Sequence, residues 1–306
     1  MAGREAIILD WGTTNFRAYR FDAGGVLVAE HRAAAGILSI EKGRFEASLD
    51  REIGPWITAG TELFFSGMIT SRNGWVETPY AETPASLEAL ATASVSRRHA
   101  SGASMRFLPG VAMRHPAPDV MRGEEIQVFG ACLPEEDAVV VLPGTHSKWV
   151  RHREGRIEAF HTFMTGEVFA ALKGHTILGR LLPEGAAGGP EAFAAGVRHM
   201  QHHAGAGLLH AAFSARSKVL FNELAPTDIG EYLSGIVIGA EIAGGLALGW
   251  DPAAIRLVGE PALAARYAQA ARIFGLVSEI APADTTVRGV RRLAALKETA
   301  HDGRRS

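Results

Sequence analysis

Asp10 ends a short apolar run, Ile7-Ile8-Leu9, and is followed by Trp11-Gly12-Thr13-Thr14. Such a run closed by a glycine turn reads as a buried strand. A carboxylate there is costly unless a cation meets it, and a Mg²⁺ ion, held directly or through water, would satisfy it. The Gly12-Thr13-Thr14 tip offers backbone N–H groups and hydroxyls in a small space, which suits a phosphate. The pattern returns 132 residues on, where Val139-Val140-Val141-Leu142 leads into Pro143-Gly144-Thr145-His146-Ser147-Lys148. Two such hairpins facing each other would grip a polyphosphate from both sides. Phosphoryl transfer asks for that arrangement, because positioning and electrostatics do most of the work.

Each tip sits in a three-stranded meander. In the first, strands are expected over 7–9, 16–21 and 26–30; in the second, over 138–142, 148–152 and 156–161. Between them the spacing predicts a helix over 44–57, a strand over 62–66, a polar and aromatic loop over 66–80, a strand at 106–109 and a helix over 124–133. Helices over 191–212 and 229–248, a strand over 255–258, a helix over 261–274 and a short strand from 275 follow. The repeated meander predicts two structurally similar halves. Beyond Thr285 the chain is basic (Arg288, Arg291, Arg292, Lys297, Arg304, Arg305) and reads as a solvated last helix with a tail.

Composition narrows the class. The 306 residues predict about two domains. A hydrophobic fraction of 47% with 21% charged residues excludes disorder for most of the chain. A formal net charge of −2 gives no field to attract a nucleic acid. The single cysteine, Cys132, excludes an internal disulfide and a thiolate metal cluster, and reads as a small buried apolar residue. The first ten residues lack a basic segment followed by an apolar core, and no uninterrupted apolar run reaches about 18 residues. The nearest candidate, 233–250, is broken by Glu241 and glycines. A cytoplasmic protein with no membrane or nucleic-acid partner is expected. His199, His202 and His203 share helical spacing, but no carboxylate completes a His-Glu-x-x-His pattern, so a surface helix is expected. Lys148 lacks the spacing of a Walker A lysine.

The chain resembles the 2-dehydro-3-deoxygalactonokinases, within the actin, hexokinase and heat-shock chaperone ATPase superfamily. The stretches that carry the resemblance are Asp10 to Arg17, Ser66-Gly67-Met68-Ile69-Thr70-Ser71-Arg72-Asn73-Gly74-Trp75, Met121-Arg122-Gly123-Glu124-Glu125, Leu142 to Trp149, Phe163 to Glu167, Leu233-Ser234-Gly235 with Gly239 and Glu241, and Gly259 to Tyr267. The resemblance implies an α/β actin-like ATPase fold: two ribonuclease-H-like domains with mixed sheets flanked by helices, and an ATP cleft between them. Residues 1–136 would carry the first phosphate hairpin and the sugar-acid site, and residues 137–306 the second hairpin and the adenosine site. The implied activity is a kinase using ATP and Mg²⁺ to phosphorylate the 6-hydroxyl of 2-dehydro-3-deoxy-D-galactonate in galactonate catabolism. The resemblance leaves a homodimer open.

By superfamily analogy Asp10 anchors the metal, while Gly12, Thr13 and Thr14 take one side of the phosphates. Gly144, Thr145, His146, Ser147 and Lys148 take the other side, and Gly259 lies against the nucleoside. Many superfamily members carry an Asp where this chain has Leu142, so the role of base passes to Asp10 or to Glu124 and Glu125, with Glu125 favoured. Adjacent residues on a helix face about 100° apart, so one of the two glutamates points at the substrate. A small carboxylate substrate suits a bidentate arginine. Arg72 is the first choice, then Arg17 or Arg122, with Ser66, Gly67 and Met68 nearby and Trp75 against the carbon chain. The alternative is a polyphosphate or nucleotide phosphatase of the same superfamily, with a glutamate activating water. A non-catalytic sugar sensor is a weaker third reading, since the chain opens directly on the phosphate hairpin.

Overall fold

The computed structural model describes residues 4–302. In chain order the first elements are β1 (Ala6–Trp11), β2 (Phe16–Phe21), β3 (Leu27–Ala33), α1 (Phe45–Ile53), β4 (Glu62–Ser66), β5 (Tyr80–Glu82), β6 (Ala85–Ser86), α2 (Leu87–Ala93), β7 (Val95–Arg98), β8 (Ser104–Phe107), β9 (Gly110–Met113), β10 (Asp119–Met121) and α3 (Glu124–Ala131). There follow β11 (Ala138–Leu142), β12 (Ser147–Arg153), β13 (Arg156–Phe163), α4 (Thr165–His175), α5 (Pro190–His202), α6 (Gly207–Leu220), α7 (Ile229–Leu246), β14 (Ala254–Leu257), α8 (Pro261–Ile273), β15 (Val277–Ile280) and α9 (Thr285–Asp302).

The chain forms two compact units. Among the described residues, unit 1 comprises 4–137, His152–Phe160 and 284–302; unit 2 comprises Ala138–Arg151 and His161–Ala283. This differs from a simple cut at 136/137, because the C-terminal helix clusters with the first unit. The reason is the packing of α9 on α3. A methyl group at Gly130 would overlap the carbonyl of Thr285, and one at Gly289 the carbonyl of Ile126, so the helices meet backbone to backbone. Val287, Val290, Leu293 and Ala294 of α9 are buried. Arg292 donates to the carbonyls of Phe129 and Cys132, which caps the end of α3. The expectation of a solvated last helix is corrected: the interspersed arginines hid an apolar face. Arg304 and Arg305 lie outside the described residues.

In unit 1 the sheet order is β3-β2-β1-β4-β8-β7. β1, β2 and β3 form an antiparallel meander, while β1, β4 and β8 are parallel. Period-two alternation sends Ile7, Leu9 and Trp11 to one face, where they pack with Phe45, Leu49 and Ile53 of α1. Asp10 belongs to the opposite face. A second, small sheet runs β10-β9-β5.

Unit 2 repeats the same scheme. Within unit 2 the strands run β15-β14-β11-β12, with β11, β14 and β15 parallel. Each unit thus carries a mixed sheet flanked by helices, and β11 and β12 begin about 132 residues after β1 and β2. The helix expected over 191–212 is two helices. α5 ends at His202, a short turn follows, and Gly207 takes φ +78°, a backbone conformation natural only to glycine. The apolar stretch near 233–250 falls mostly in α7. The segment 226–246 is long and apolar enough to cross a membrane by length and composition, but most of it is buried as a core helix. Cys132 is buried.

Gly289→Ala should destabilise the protein by about 1–3 kcal/mol, the usual cost of overpacking a close contact. Thermal unfolding checks this; an unchanged midpoint would show that α9 does not lie tightly on α3.

Candidate active site

The unit 1 candidate site gathers at the C-terminal ends of parallel strands β1 and β4, the usual ligand edge of an α/β sheet. Register puts Asp10 opposite Arg17 on β2 and opposite Ser66 on β4. The Arg17 guanidinium lies 3.5 Å from the Asp10 carboxylate. Gly67 follows Ser66 at φ +91°, and a Cβ there would sit 3.0 Å from the Trp11 carbonyl and 3.4 Å from Asp10 Oδ1. Gly123, at φ +106°, faces Gly67 so closely that its Cβ would be 3.1 Å from the Gly67 Cα. These two glycines bring the start of α3 up against Asp10.

Glu124 and Glu125 open α3. Glu124 accepts a hydrogen bond from the Arg122 N–H at 2.9 Å. Glu125 is 1% exposed, and both its oxygens accept from the Gly123 N–H, at 3.0 and 2.8 Å. Burial, aided by the neighbouring Glu124 charge, pushes the Glu125 carboxyl up to about 8. Burial also raises Asp10, opposed by Arg17 and reinforced by Glu124. Glu125 is therefore a buried acid poised near neutrality.

The turn after β1 is held from behind. The amides of Gly36, Ile37 and Leu38 take the carbonyls of Thr14, Gly12 and Thr13, at 3.1, 3.0 and 3.2 Å. Thr13 and Thr14 stay exposed. A turn whose carbonyls are occupied from behind and whose hydroxyls face solvent can receive an anion.

Other expected residues divide. Arg72 is exposed on its loop. Met68 and Trp75 pack against the α1-side core, and the Trp75 ring meets Phe65 and Phe107 edge-on at 5.7 and 5.5 Å. Trp75 is thus partly buried, with its ring edge seated on the core. Arg122 is also engaged: its guanidinium donates to Thr70 at 2.8 Å and to Thr78 at 2.5 and 3.2 Å, and lies 4.4 Å over the Tyr80 ring. These bonds from its two terminal nitrogens clamp the 66–80 loop, while its buried Nε has no hydrogen-bond partner among the described residues.

Unit 2 holds a cavity of about 730 Å³ bordered by the β11–β12 turn and by α4, α7 and α8. Gly144 and Thr145 line it, as do Glu231, Ser234, Arg266 and Tyr267. Arg266 pairs with Glu231 at 2.8 Å, reaches Ser234 at 2.8 Å and stacks 4.2 Å over Phe193. Sequence reading missed Glu231 and Arg266. The signal available was their spacing: 231, 234 and 238 share a face of α7, and 263, 266 and 267 a face of α8.

Ser147 and Lys148 do not line the cavity. Ser147 is buried and accepts the Gly144 N–H at 3.2 Å. Lys148 is buried, with its ammonium on the His146 carbonyl at 3.0 Å. Both support the turn from below. His146 is half exposed, 2.6 Å from Glu167. Gly259 is exposed, and the adjacent Glu260 caps α8 and lines the cavity. His199 is half-buried rather than on an open surface, and His199, His202 and His203 belong to no metal-binding group among the described residues.

The cavity's size, and a mostly apolar lining with a few polar groups such as Thr145, Ser234 and Arg266, fit a nucleotide. No cluster of three or more protein metal ligands occurs among the described residues. A Mg²⁺ that keeps waters and phosphate oxygens needs only one or two carboxylates, and Asp10, in the field of Glu124, fits it.

A family model described as 2-keto-3-deoxy-galactonokinase matches residues 10–293. A protein from Rhizobium meliloti (strain 1021), described as a probable 2-dehydro-3-deoxygalactonokinase, is 38% identical over 287 residues, covering 92% of this chain and 93% of the relative. The 2-dehydro-3-deoxygalactonokinase of Escherichia coli (strain K12) is 32% identical over 292 residues, covering 94% and 97%. A crystal structure of a candidate 2-dehydro-3-deoxygalactonokinase from Sinorhizobium meliloti superposes with a TM-score of 0.82 at 37% identity, covering 94% and 95%.

The Glu125 shift has a stability signature. Its carboxyl rises from the ordinary 4.5 to about 8 on folding, so between those values the folded chain keeps a proton that the unfolded chain has lost. That stability is complete below about pH 4.5 and is lost as pH rises through about 8, by up to about 1.4 kcal/mol per pH unit. Glu125→Gln should flatten this slope in thermal unfolding from pH 5 to 9. Parallel profiles for the two proteins would contradict the shift.

Proposed function

The chain belongs to the 2-keto-3-deoxy-galactonokinase family, and from that premise we propose that it transfers the γ-phosphoryl of ATP to the 6-hydroxyl of 2-dehydro-3-deoxy-D-galactonate. It is an ATP-dependent sugar-acid kinase of galactonate catabolism. The observation that carries the mechanistic reading is a buried acid, Glu125, at the start of α3 in unit 1, whose proton affinity is raised to about 8 by burial and by Glu124, the residue whose charge also acts on Asp10.

Glu125 is the general base. A carboxyl held at about 8 binds the acceptor's proton with the right driving force at neutral pH, provided the hydroxyl lies within hydrogen-bond reach. Glu124 sets the local potential and keeps Glu125 from ionising too easily. Asp10 is the residue that would hold Mg²⁺, which when bound neutralises charge developing on the transferred phosphoryl. Thr13 and Thr14 offer hydroxyls to a phosphate, and Gly144 and Thr145 border the cavity that would take the nucleotide. Arg17 adds positive charge beside Asp10, where it can offset a phosphate or a carboxylate. Arg72 is the exposed arginine assigned to the sugar-acid carboxylate. Ser66, Gly67 and the Arg122 clamp shape the acceptor side. Use of ATP as donor and a small metabolite as acceptor supports a cytoplasmic reaction.

ADP release with MgATP and 2-dehydro-3-deoxygalactonate should exceed the no-sugar control, with a turnover of about 1–100 s⁻¹. Glu125→Gln should lower kcat by about 10²–10⁴ while leaving the KM for ATP within about twofold. Asp10→Asn should lower kcat and raise the Mg²⁺ concentration needed for half activity. ADP release independent of the sugar acid would overturn the kinase reading in favour of a phosphatase.

A further inference from the structure

Glu241 lies on α7 and is 2% exposed. A buried carboxylate is unfavourable unless its oxygens are matched by donors. Here they are matched from three directions. Trp149 of β12 donates its indole N–H to Oε1 at 2.9 Å. Thr165, the first residue of α4, donates its hydroxyl to Oε2. Tyr267 of α8 donates its phenol to Oε2 at 2.5 Å. Four residues on from Glu241, a methyl group at Gly245 would overlap the Trp149 ring. The one-turn spacing of Glu241 and Gly245 therefore makes a slot in α7 that seats the indole flat and points its N–H at the carboxylate.

The chain of hydrogen bonds continues outward. The Tyr267 oxygen lies 3.0 Å from Ser147 Oγ, which accepts the Gly144 N–H at 3.2 Å. Gly144, Thr165 and Tyr267 all line the unit 2 cavity. A methyl group at Gly166 would sit 2.8 Å from the Gly144 carbonyl, so the start of α4 rests directly on this turn. One side chain, itself outside the cavity, thus ties together the turn and two of the three helices that border it.

Ionisation of Glu241 would also set the direction of the chain: a carboxylate can only accept, so Tyr267 donates to it. The phenol oxygen is then left to accept from Ser147, whose oxygen takes the Gly144 N–H. An amide at position 241 could turn its NH₂ toward Tyr267 or Thr165. The Tyr267 hydroxyl would reverse toward Ser147, and the Ser147 hydroxyl toward the Gly144 carbonyl, 3.4 Å away.

We infer that Glu241 is a positioning residue for the nucleotide: through Tyr267, Ser147, Thr165 and Trp149 it holds the Gly144–Ser147 turn, α4 and α8 in the arrangement that binds the phosphate donor. The inference rests on the reading of the unit 2 cavity as the nucleotide site. Its signature is selective, because the acceptor is assigned to unit 1 residues that Glu241 does not touch.

The test combines MgADP binding by calorimetry with steady-state kinetics in both substrates, on wild type, Glu241→Gln and Tyr267→Phe. Thermal unfolding verifies that each variant is folded. Glu241→Gln should raise the Kd for MgADP and the KM for ATP tenfold or more, with the KM for the sugar acid moving less than twofold. Tyr267→Phe, which keeps the carboxylate and removes one donor, should move both nucleotide constants about fivefold; it decides the matter if Glu241→Gln does not fold. Folded variants with wild-type nucleotide constants overturn the inference. So does an equal loss for both substrates, the mark of a merely structural residue. Ser234→Trp, which fills the cavity, separates the premise: unchanged MgADP affinity there would remove the cavity as nucleotide site and the inference with it.

Discussion

Gly67 and Gly123 face each other with no room for a methyl group between them, and the acidic cluster of unit 1 depends on that contact. β4 carries the chain to the level of Asp10, and the positive φ of Gly67 turns it aside without a side chain striking Trp11 or Asp10. Gly123 then lets α3 begin at the same place, so that Glu124 enters the field of Asp10 and Glu125 is buried behind it. Unit 2 uses the same device, with Gly166 seating α4 against Gly144. Helix pairs α3–α9 and α5–α7 meet through glycines as well. The glycine content of 35 residues follows from close backbone approach more than from loop length.

Two glutamates illustrate how equal burial yields different chemistry. Burial raises the proton affinity of both Glu125 and Glu241. At Glu241 three side-chain donors from separate elements oppose that rise, and the carboxylate serves as a fastening. At Glu125 the opposing hydrogen bonds come from the local backbone, while Glu124 adds negative charge beside it. A group left near the midpoint of its titration can take and return a proton, whereas one saturated by donors is better suited to hold a shape.

Arginine shows the same dependence on surroundings. Arg17 keeps an exposed guanidinium beside Asp10 and is available to an anion. Arg122, two residues before Glu124, donates from its terminal nitrogens to Thr70 and Thr78 and stacks on Tyr80, and so holds the 66–80 loop. Arg292 caps α3 from α9. Residue type alone does not separate these three uses.

The sequence by itself determined the two meanders, the glycine turns at 12 and 144, the apolar strands and the carboxylate at the end of β1. These are local properties, set by alternation, turn chemistry and the cost of a buried charge. It also carried the family motifs, including Thr165, Glu241 and Tyr267, without revealing what joins them. Only the tertiary structure decided that Glu125 is buried and Glu124 is not, that Arg122 is a clamp, that Ser147 and Lys148 lie beneath their turn, and that α9 belongs with unit 1. Each of these depends on contacts between residues far apart in the chain, such as Ile126 with Gly289 or Trp149 with Glu241. Burial and hydrogen bonding are set by such long-range neighbours, and no local pattern specifies them.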